Sequence, residues 1–344
     1  MFDRPILTMP VNSPIIQRRF MNIIWFVYIV IVVLLWSITS LIYKAGIHKE
    51  PEKHVDIKYS VSVGIVFFII SLIYLVIRDE PFSILESAVR YWPMTLFGIV
   101  YPIINTVSFN GYIYNEVSVE SPIEGISGGT STILLIAVYL ILGRVDSISK
   151  LLTPFRTIGM LVILFSIILL AYTRNREGRR KEPEEAASKR TRWKWRGLGT
   201  LIFPVMFAMV DSMETVVSGL CLDSTYGYSM PEGDSIIIVG MEYSVFALGC
   251  WIYILFKDHE IYHPLKKENL PRLLGSVTDN LGIVFYSYAM AIDSISTDPT
   301  LAVYPVFTMI GGRIFMKEKI SLVQYISVIL IVVGSILVVA DTLI

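Results

Sequence analysis

The sequence is poor in charged residues and in cysteine. Only 17% of its 344 residues are charged, and its two cysteines, Cys221 and Cys250, both lie inside apolar runs. Soluble domains have about 25% charged residues, and small secreted scaffolds depend on several disulfides. The composition therefore excludes a disulfide-stabilised scaffold and is not that of an ordinary soluble domain.

A net charge and a nucleotide-binding motif are also missing. The 29 Lys and Arg residues balance 29 Asp and Glu residues, so no overall positive charge indicates nucleic acid as a partner. The sequence has no P-loop pattern, the Gly-rich stretch that cradles the phosphates of ATP in many pumps. We predict no cofactor and no resident metal, and the sequence leaves the oligomeric state open.

Long apolar runs dominate the rest of the chain. Hydrophobic residues make up 54% of it, and a helix needs about 20 such residues to cross a bilayer core of about 30 Å. Ten runs approach that length, at residues 22–43, 59–77, 92–114, 122–142, 157–172, 198–222, 235–256, 270–292, 299–316 and 322–344. The sequence thus predicts an all-α membrane protein with ten transmembrane helices, multi-pass in the lipid bilayer of the plasma membrane.

One long polar stretch divides the ten runs into two sets of five. It covers residues 174–196 and reads RNREGRRKEPEEAASKRTRWKWR. We predict an N-terminal tail (1–21), a first five-helix repeat (22–173), a charged linker (174–196) and a second five-helix repeat (197–344). Because five is an odd number, the second repeat is inverted in the membrane relative to the first, as in many secondary transporters.

The two halves share a pattern near their ends. SPIEGISGG begins at Ser121 and STDPTLAVYPVFTMIGG begins at Ser296, and each combines an acidic residue, a proline and a Gly-Gly pair. Glycine permits close helix packing in membranes, and a proline inside a helix frees a carbonyl that a neighbour or a water-filled cavity must satisfy. We therefore predict cavity-side packing helices here. The residues concerned are Gly128, Gly129, Pro305, Gly311 and Gly312.

These stretches resemble the drug/metabolite transporter superfamily, in its EamA-like branch. LLWSITSLIYKAG, with Trp36 and Lys44, resembles the first helix of that family. AVYPVFTMIGGRIFMKEKIS resembles its ninth helix, with Glu318 at the family's acidic position, and YISVILIVVGSILVV is similar to its tenth. The first half departs from the pattern, because Arg144 stands where the family has an acidic residue. The resemblance implies transport of small organic molecules by alternating access.

The orientation of the chain in the membrane stays open. The central polar stretch is rich in Lys and Arg, which predicts a cytoplasmic location for it. The family resemblance instead implies cytoplasmic termini, on the opposite side.

Five carboxylates fall within the predicted helices. A charge at mid-bilayer costs about 2.5–3.5 kcal/mol on insertion scales, so each is a candidate for function. Asp211 and Glu214 are three residues apart and share a helix face, where two like charges favour a shared proton or a bound cation. Glu124 and Glu242 lie near the starts of their helices, so stabilisation of the helix dipole is the alternative. Asp279 is the fifth candidate.

Polar and aromatic residues complete the candidate site. Asn105 and Asp279 match when the halves are aligned through their closing turns, and a one-residue slip pairs Asn105 with Asn280 instead. A polar residue at matched depth on the third and eighth helices would face the repeat interface, where transporter sites lie. Aromatic rings attract organic cations, although plain packing is the alternative for rings in membrane helices. The aromatic candidates are Trp36, Tyr101, Tyr243, Tyr286 and Tyr304.

The predicted function is secondary active transport, with no enzymatic activity. Acidic residues outnumber cationic ones in the helices, where Arg313 is the main cationic residue. That excess favours a cationic or zwitterionic small organic metabolite as substrate, with protons as the coupling ion.

Two other functions are kept as alternatives. His259, Glu260 and His263 form H-E-x-x-H, the zinc-protease spacing when it lies on a helix, which would indicate a membrane metalloenzyme. Pro264 follows at once, and a catalytic zinc needs a third protein ligand. The remaining alternative is a membrane scaffold without transport activity.

Overall fold

The computed structural model describes residues 14–46, 53–78, 82–114, 120, 123–125, 127–181, 202–259, 261–317 and 321–343. Regular structure in these ranges is helical. The α-helices are α1 (Pro14–Ala45), α2 (Val55–Ile77), α3 (Ile84–Arg90), α4 (Trp92–Ser108), α5 (Gly111–Tyr114), α6 (Ser127–Ile141), α7 (Pro154–Lys181), α8 (Ile202–Leu222), α9 (Glu232–Asp258), α10 (Leu270–Ile292), α11 (Ser294–Leu301), α12 (Tyr304–Phe315) and α13 (Leu322–Leu343).

Each of the ten predicted spans contains a helix. Six helical stretches in the described part of the chain are long and apolar enough to cross a membrane: Arg19–Ala45, Val55–Ile77, Trp92–Ile113, Ile202–Leu222, Glu232–Asp258 and Leu322–Ala340. Two shorter apolar helices are Ser127–Ile141 and Pro154–Ser166. Helix α10 has the length of a span, but Arg272, Asp279 and Asn280 lower its hydropathy. The arrangement as ten transmembrane helices stays a prediction.

Several boundaries differ from those expected from the sequence. Helix α7 continues to Lys181, into the predicted linker, because membrane hydropathy marks only the apolar part of a helix. The predicted ninth span is two helices, α11 and α12, separated at Ala302 and Val303. Pro305 was expected inside a continuous helix, and that was wrong: it lies in the first turn of α12, where a missing N–H leaves no hydrogen bond unmade.

Long-range packing joins the two halves of the chain. The most extensive helix contacts are α2 with α9, α1 with α10, and α7 with α13. Helix α8 packs on α4 and α6, while α1 packs on α10 and α12. Suppose that α1, α2, α4, α6 and α7 are exchanged with α8, α9, α10, α12 and α13 in that order. The α2–α9 and α7–α13 contacts then map onto themselves, the α1–α10 contact maps onto α8–α4, and the α8–α6 contact maps onto α1–α12.

Helices α2 and α9 form an antiparallel pair with ionic contacts at both ends. Arg78, just after α2, lies 2.8 Å from the carboxylate of Asp234 in the first turn of α9. At the opposite end, His54 lies 3.6 Å from Asp258. Between them, Gly64 of α2 packs against Ala247 of α9. Small residues of this kind bring membrane helices close together, so the pair is held along its whole length.

Candidate functional site

Two adjoining cavities lie between the halves of the chain. The first has a volume of about 90 Å³ and the second about 60 Å³. Both are lined by helices α1, α2, α4, α8, α9 and α10, and the first also reaches Tyr304 at the start of α12. The residues shared by the two linings are Trp36, Tyr101, Asp211, Tyr243 and Ile283. Asp211 therefore stands where the two cavities meet.

The described lining of these cavities is acidic. Glu124, Asp211 and Asp279 line the first cavity, and Asp211 and Glu214 line the second. Neither described lining includes a Lys, Arg or His residue. Four of the five carboxylates singled out from the sequence thus meet in one buried region, which carries a negative formal charge and offers carboxylate oxygens to a cation.

Asp279 and Asn105, predicted at matching depths of the two halves, both line the first cavity. The Tyr43 hydroxyl donates to Asp279 Oδ2 at 3.4 Å. Asn105 Nδ2 donates to the hydroxyl of Tyr243 at 3.1 Å and to that of Tyr59 at 3.4 Å. Polar groups from α1, α2, α4, α9 and α10 are thereby joined around the first cavity.

Glu124 lies just before α6 and is 4% exposed. The Tyr112 hydroxyl donates to Glu124 Oε2 at 3.1 Å, and the same hydroxyl lies 3.3 Å from the Ser40 hydroxyl. Glu124 is not at the N-terminal turn of a long helix, which was the alternative considered from the sequence. Its carboxylate instead points to the cavity wall formed by α1 and α5.

Asp211 and Glu214 share a face of α8, as their spacing predicts. Glu214 accepts hydrogen bonds from the hydroxyl of Ser218 at 2.5 Å and from that of Tyr286 at 3.4 Å. Asp211 is hydrogen-bonded to Ser127, at the start of α6. The two carboxylates therefore contact different neighbours: one faces the first half of the chain, and the other faces α10.

Asp298 was not among the candidates predicted from the sequence. This residue lies in α11, is 6% exposed, and accepts hydrogen bonds from the hydroxyl of Ser131 at 2.7 Å and from that of Thr215. Thr215 also accepts a hydrogen bond from Tyr286 at 3.1 Å, so Asp298 is connected to the second cavity without lining it. In the sequence, the acidic residue of STDPT was considered only as part of the pattern that the two halves share, and not as a candidate for function.

The remaining predicted residues do not line the cavities. Glu242 packs against Gly98, and its Oε2 atom is buried without a hydrogen-bond partner. The glycines act in packing: a Cβ on Gly128 would lie 2.7 Å from the carbonyl oxygen of Asp298, and a Cβ on Gly311 would lie 2.3 Å from Leu41. Gly129, Gly312 and Pro305 are buried between helices.

Four aromatic rings close one end of the first cavity. Tyr59 stacks on Phe109 with ring centroids 4.1 Å apart, Tyr43 lies 4.9 Å from Tyr59, and Phe109 lies 5.6 Å from Tyr112. These residues sit where α1 ends, α2 begins and α4 passes into α5. We call Tyr43, Tyr59, Phe109 and Tyr112 the aromatic layer; all four are buried.

The opposite end of the cavities is filled by an apolar cluster. Met94, Cys221, Leu222 and Met230 belong to it, and each is at most 3% exposed. The ion pair of Arg78 and Asp234 lies at this same end of α2. Side chains are therefore packed at both ends of the cavities, the aromatic layer at one end and this apolar cluster at the other.

The H-E-x-x-H stretch does not form a helix across its two histidines. His259 ends α9 in a left-handed conformation with φ 53°, and His263 lies beyond it in a turn segment. Glu260 and Glu318 lie outside the described residues. Within the ranges that the structure describes, no three His, Cys, Asp or Glu side chains are placed to hold a metal ion.

Comparisons with known proteins agree with this architecture. Residues 225–340 match the model of the family described as the EamA-like transporter family. Among solved structures, 27 chains match. One of these, described only as a crystal structure of a protein, has a TM-score of 0.55 and 17% identity over 92% of this chain and 95% of its own. At that identity the likeness shows the fold alone. No curated protein sequence matches the chain.

The fold and the apolar helices define the class first: the chain is an integral, multi-pass membrane protein. The family match then applies to part of the chain, because residues 225–340 are similar to the EamA-like transporter family. The resemblance found in the sequence is thereby confirmed.

Proposed function

We propose that the chain is a secondary transporter that carries a small organic cation or zwitterion across the membrane. The observation that carries this proposal is the pair of cavities between the halves, with Glu124, Asp211, Glu214 and Asp279 in the described lining and no basic residue there. A carboxylate in a desolvated site binds an ammonium group through short, charge-assisted hydrogen bonds. The rings of Trp36 and the lining tyrosines add cation–π attraction.

The transport cycle rests on two inverted five-helix repeats, residues 22–173 and 197–344. The unchanged contact pattern under exchange of the halves supports this organisation, since inverted repeats are related by a pseudo-two-fold axis in the membrane plane. The two halves rock against each other around the cavities, so each end opens in turn.

Asp211 and Glu214 act as the proton-responsive or cation-binding pair. They line the second cavity together, and a proton or a bound ammonium removes the repulsion between two nearby carboxylates. Asp211 contacts Ser127 of the first half, and Glu214 contacts Tyr286 of the second. Occupancy of this pair is therefore coupled to the relative position of the halves.

The test is flux into proteoliposomes holding the purified full chain, with a panel of radiolabelled amines, amino acids and organic anions under an imposed proton gradient. The proposal requires uptake of at least one cationic or zwitterionic compound above that of protein-free liposomes, and loss of uptake in the Asp211→Asn and Asp279→Asn variants. Uptake confined to the organic anions would overturn the proposed substrate class. Equal uptake by both variants and the parent would show that the carboxylates of Asp211 and Asp279 are not required for transport.

A further inference from the structure

The aromatic layer is attached to the same carboxylates that line the first cavity. Tyr112 donates to Glu124 at 3.1 Å, and Tyr43 donates to Asp279 at 3.4 Å. Glu124 precedes α6, Asp279 is in α10, and the two rings belong to α5 and α1. The rings of Tyr43 and Tyr112 are thus held in place by carboxylates that line the first cavity.

These two hydrogen bonds are long. Hydrogen bonds from hydroxyl to oxygen in proteins are usually about 2.7–2.8 Å, and an ammonium donates to a carboxylate at about 2.7–2.9 Å with roughly twice the strength of a neutral pair. An ammonium group that enters the cavity therefore competes successfully with the hydroxyls of Tyr43 and Tyr112 for the oxygens of Asp279 and Glu124.

Once those bonds are lost, the hydroxyls of Tyr43 and Tyr112 keep only neutral partners among the described residues, Ser276 at 3.4 Å and Ser40 at 3.3 Å. The rings of the layer contact each other face to face or edge to face, and such contacts are worth about 0.5–1.5 kcal/mol beyond burial. The other end of the cavity is filled by the apolar cluster around Met94 and Cys221. The cavity carboxylates Asp279 and Glu124 contact the aromatic layer and not this apolar cluster.

We propose that Tyr43 and Tyr112 are gating residues: their hydroxyls occupy the cavity carboxylates when the site is empty, and a bound ammonium displaces them and loosens the aromatic layer. The inference rests on the proposed function in one respect, the cationic substrate. It adds that the ammonium group of the substrate replaces the tyrosine hydroxyls, and that the cavity loosens at the aromatic layer. Both tyrosines are positioning residues, because they act through Glu124 and Asp279.

Opening of the layer is measurable with a cysteine inside the cavity. Ser108 lines the first cavity, is 2% exposed, and its hydroxyl is buried without a hydrogen-bond partner, so Ser108→Cys is a mild change. The native Cys221 and Cys250 are buried and give a low background. The rate of labelling by a charged, membrane-impermeant methanethiosulfonate reagent in nanodiscs then reports how often the layer opens.

Three variants in the Ser108→Cys background test the gate. Tyr112→Phe and Tyr43→Phe keep the rings and remove the hydroxyls, and each is expected to raise the labelling rate about two- to tenfold, the equivalent of one hydrogen bond. Tyr139→Phe is the matched control: this tyrosine is equally buried, and its hydroxyl donates to the carbonyl of Gly219 at 2.9 Å, away from the layer. It should label at the parent rate.

A second measurement separates gating from mere loosening. Isothermal titration with butylammonium is expected to give binding about two- to tenfold tighter in Tyr112→Phe than in the parent, because the competing hydroxyl is gone. Phe109→Leu thins the layer without removing a hydroxyl from either carboxylate, so it should raise labelling without the tighter butylammonium binding expected for Tyr112→Phe. Size-exclusion chromatography checks that each variant is folded.

The outcomes separate the gate from the proposed function. Equal labelling of the parent, Tyr112→Phe and Tyr43→Phe overturns the gate, as does faster labelling in Tyr139→Phe to the same extent. Weaker butylammonium binding in Tyr112→Phe overturns the competition between hydroxyl and ammonium. If the parent binds no butylammonium at all, the competition step fails together with the cationic substrate class. The labelling rates still decide whether the hydroxyls hold the layer shut.

Discussion

Gly159 of α7 and Gly334 of α13 face each other reciprocally. A Cβ on Gly159 would lie 2.7 Å from the carbonyl oxygen of Gly334, and a Cβ on Gly334 would lie 2.7 Å from the carbonyl oxygen of Gly159. A contact in which each residue meets its own counterpart is typical of a two-fold axis. These helices are the predicted fifth and tenth spans, the last of each half.

This contact predicts that larger side chains at Gly159 separate α7 from α13. Gly159→Val should destabilise the purified protein by about 1–3 kcal/mol, the usual cost of overpacking, measured as a lowered thermal unfolding midpoint in detergent. Gly249→Ala is the control, because nothing lies within 4 Å of a Cβ at that position. An unchanged midpoint for Gly159→Val would mean that the two helices do not approach each other this closely.

Neutralising the two carboxylates of α8 should affect transport without unfolding the chain. Asp211→Asn is expected to abolish the pH dependence of flux, because Asp211 stands at the junction of the two cavities and contacts the first half. Glu214→Gln is expected to reduce it less completely, since Glu214 lines only the second cavity. Wild-type flux and pH dependence in both variants would make the pair structural and shift the proposal to Glu124 and Asp279.

Asp298 should respond more than additively to loss of two of its donors. Ser131→Ala and Thr215→Val each leave the carboxylate with the other of these hydroxyls and with that of Tyr286, whereas the double variant leaves Tyr286 alone. Leaving a buried acceptor unsatisfied costs about 1–3 kcal/mol, more for a charged group. The double variant should therefore lose more stability in thermal unfolding than the two single variants together. Strict additivity would show that Asp298 is satisfied in some other way.

The two halves should expose their ends on opposite sides of the membrane. A reporter inserted after Ala187, in the central polar stretch, and a reporter at the C-terminus are separated by five predicted spans. Reporters that are active on only one side, such as alkaline phosphatase and green fluorescent protein, should therefore give opposite results at the two positions. Signals from the same side would contradict the inverted repeat.

Much of the site was predictable because charge in an apolar helix is costly. Asp211, Glu214, Glu124 and Asp279 stood out in the sequence for that reason, and the structure brings all four to one pair of cavities. Glu242 met the same criterion but packs against Gly98 instead. Hydropathy gives the depth of a residue along a helix, and it does not give the direction in which the side chain points.

The aromatic layer and Asp298 were not predictable in the same way. Tyrosine is frequent in membrane proteins, so nothing in the sequence separates Tyr43 and Tyr112 from other tyrosines. They are distinguished by contacts between residues far apart in the chain, such as Tyr43 with Asp279. The break between α11 and α12 could not be predicted, because a proline such as Pro305 is compatible with a kink inside one helix as well as with the first turn of a new helix.

Helix α11 has a consequence for how the chain folds. All eight of its residues are buried, although five of them carry a hydroxyl or carboxyl group: Ser294, Ser296, Thr297, Asp298 and Thr300. A segment this polar does not partition into lipid from the translocon by itself. It becomes stable only beside Ser131 of α6 and Thr215 of α8. The stable placement of α11 therefore depends on both halves of the chain, because Ser131 belongs to the first half and Thr215 to the second.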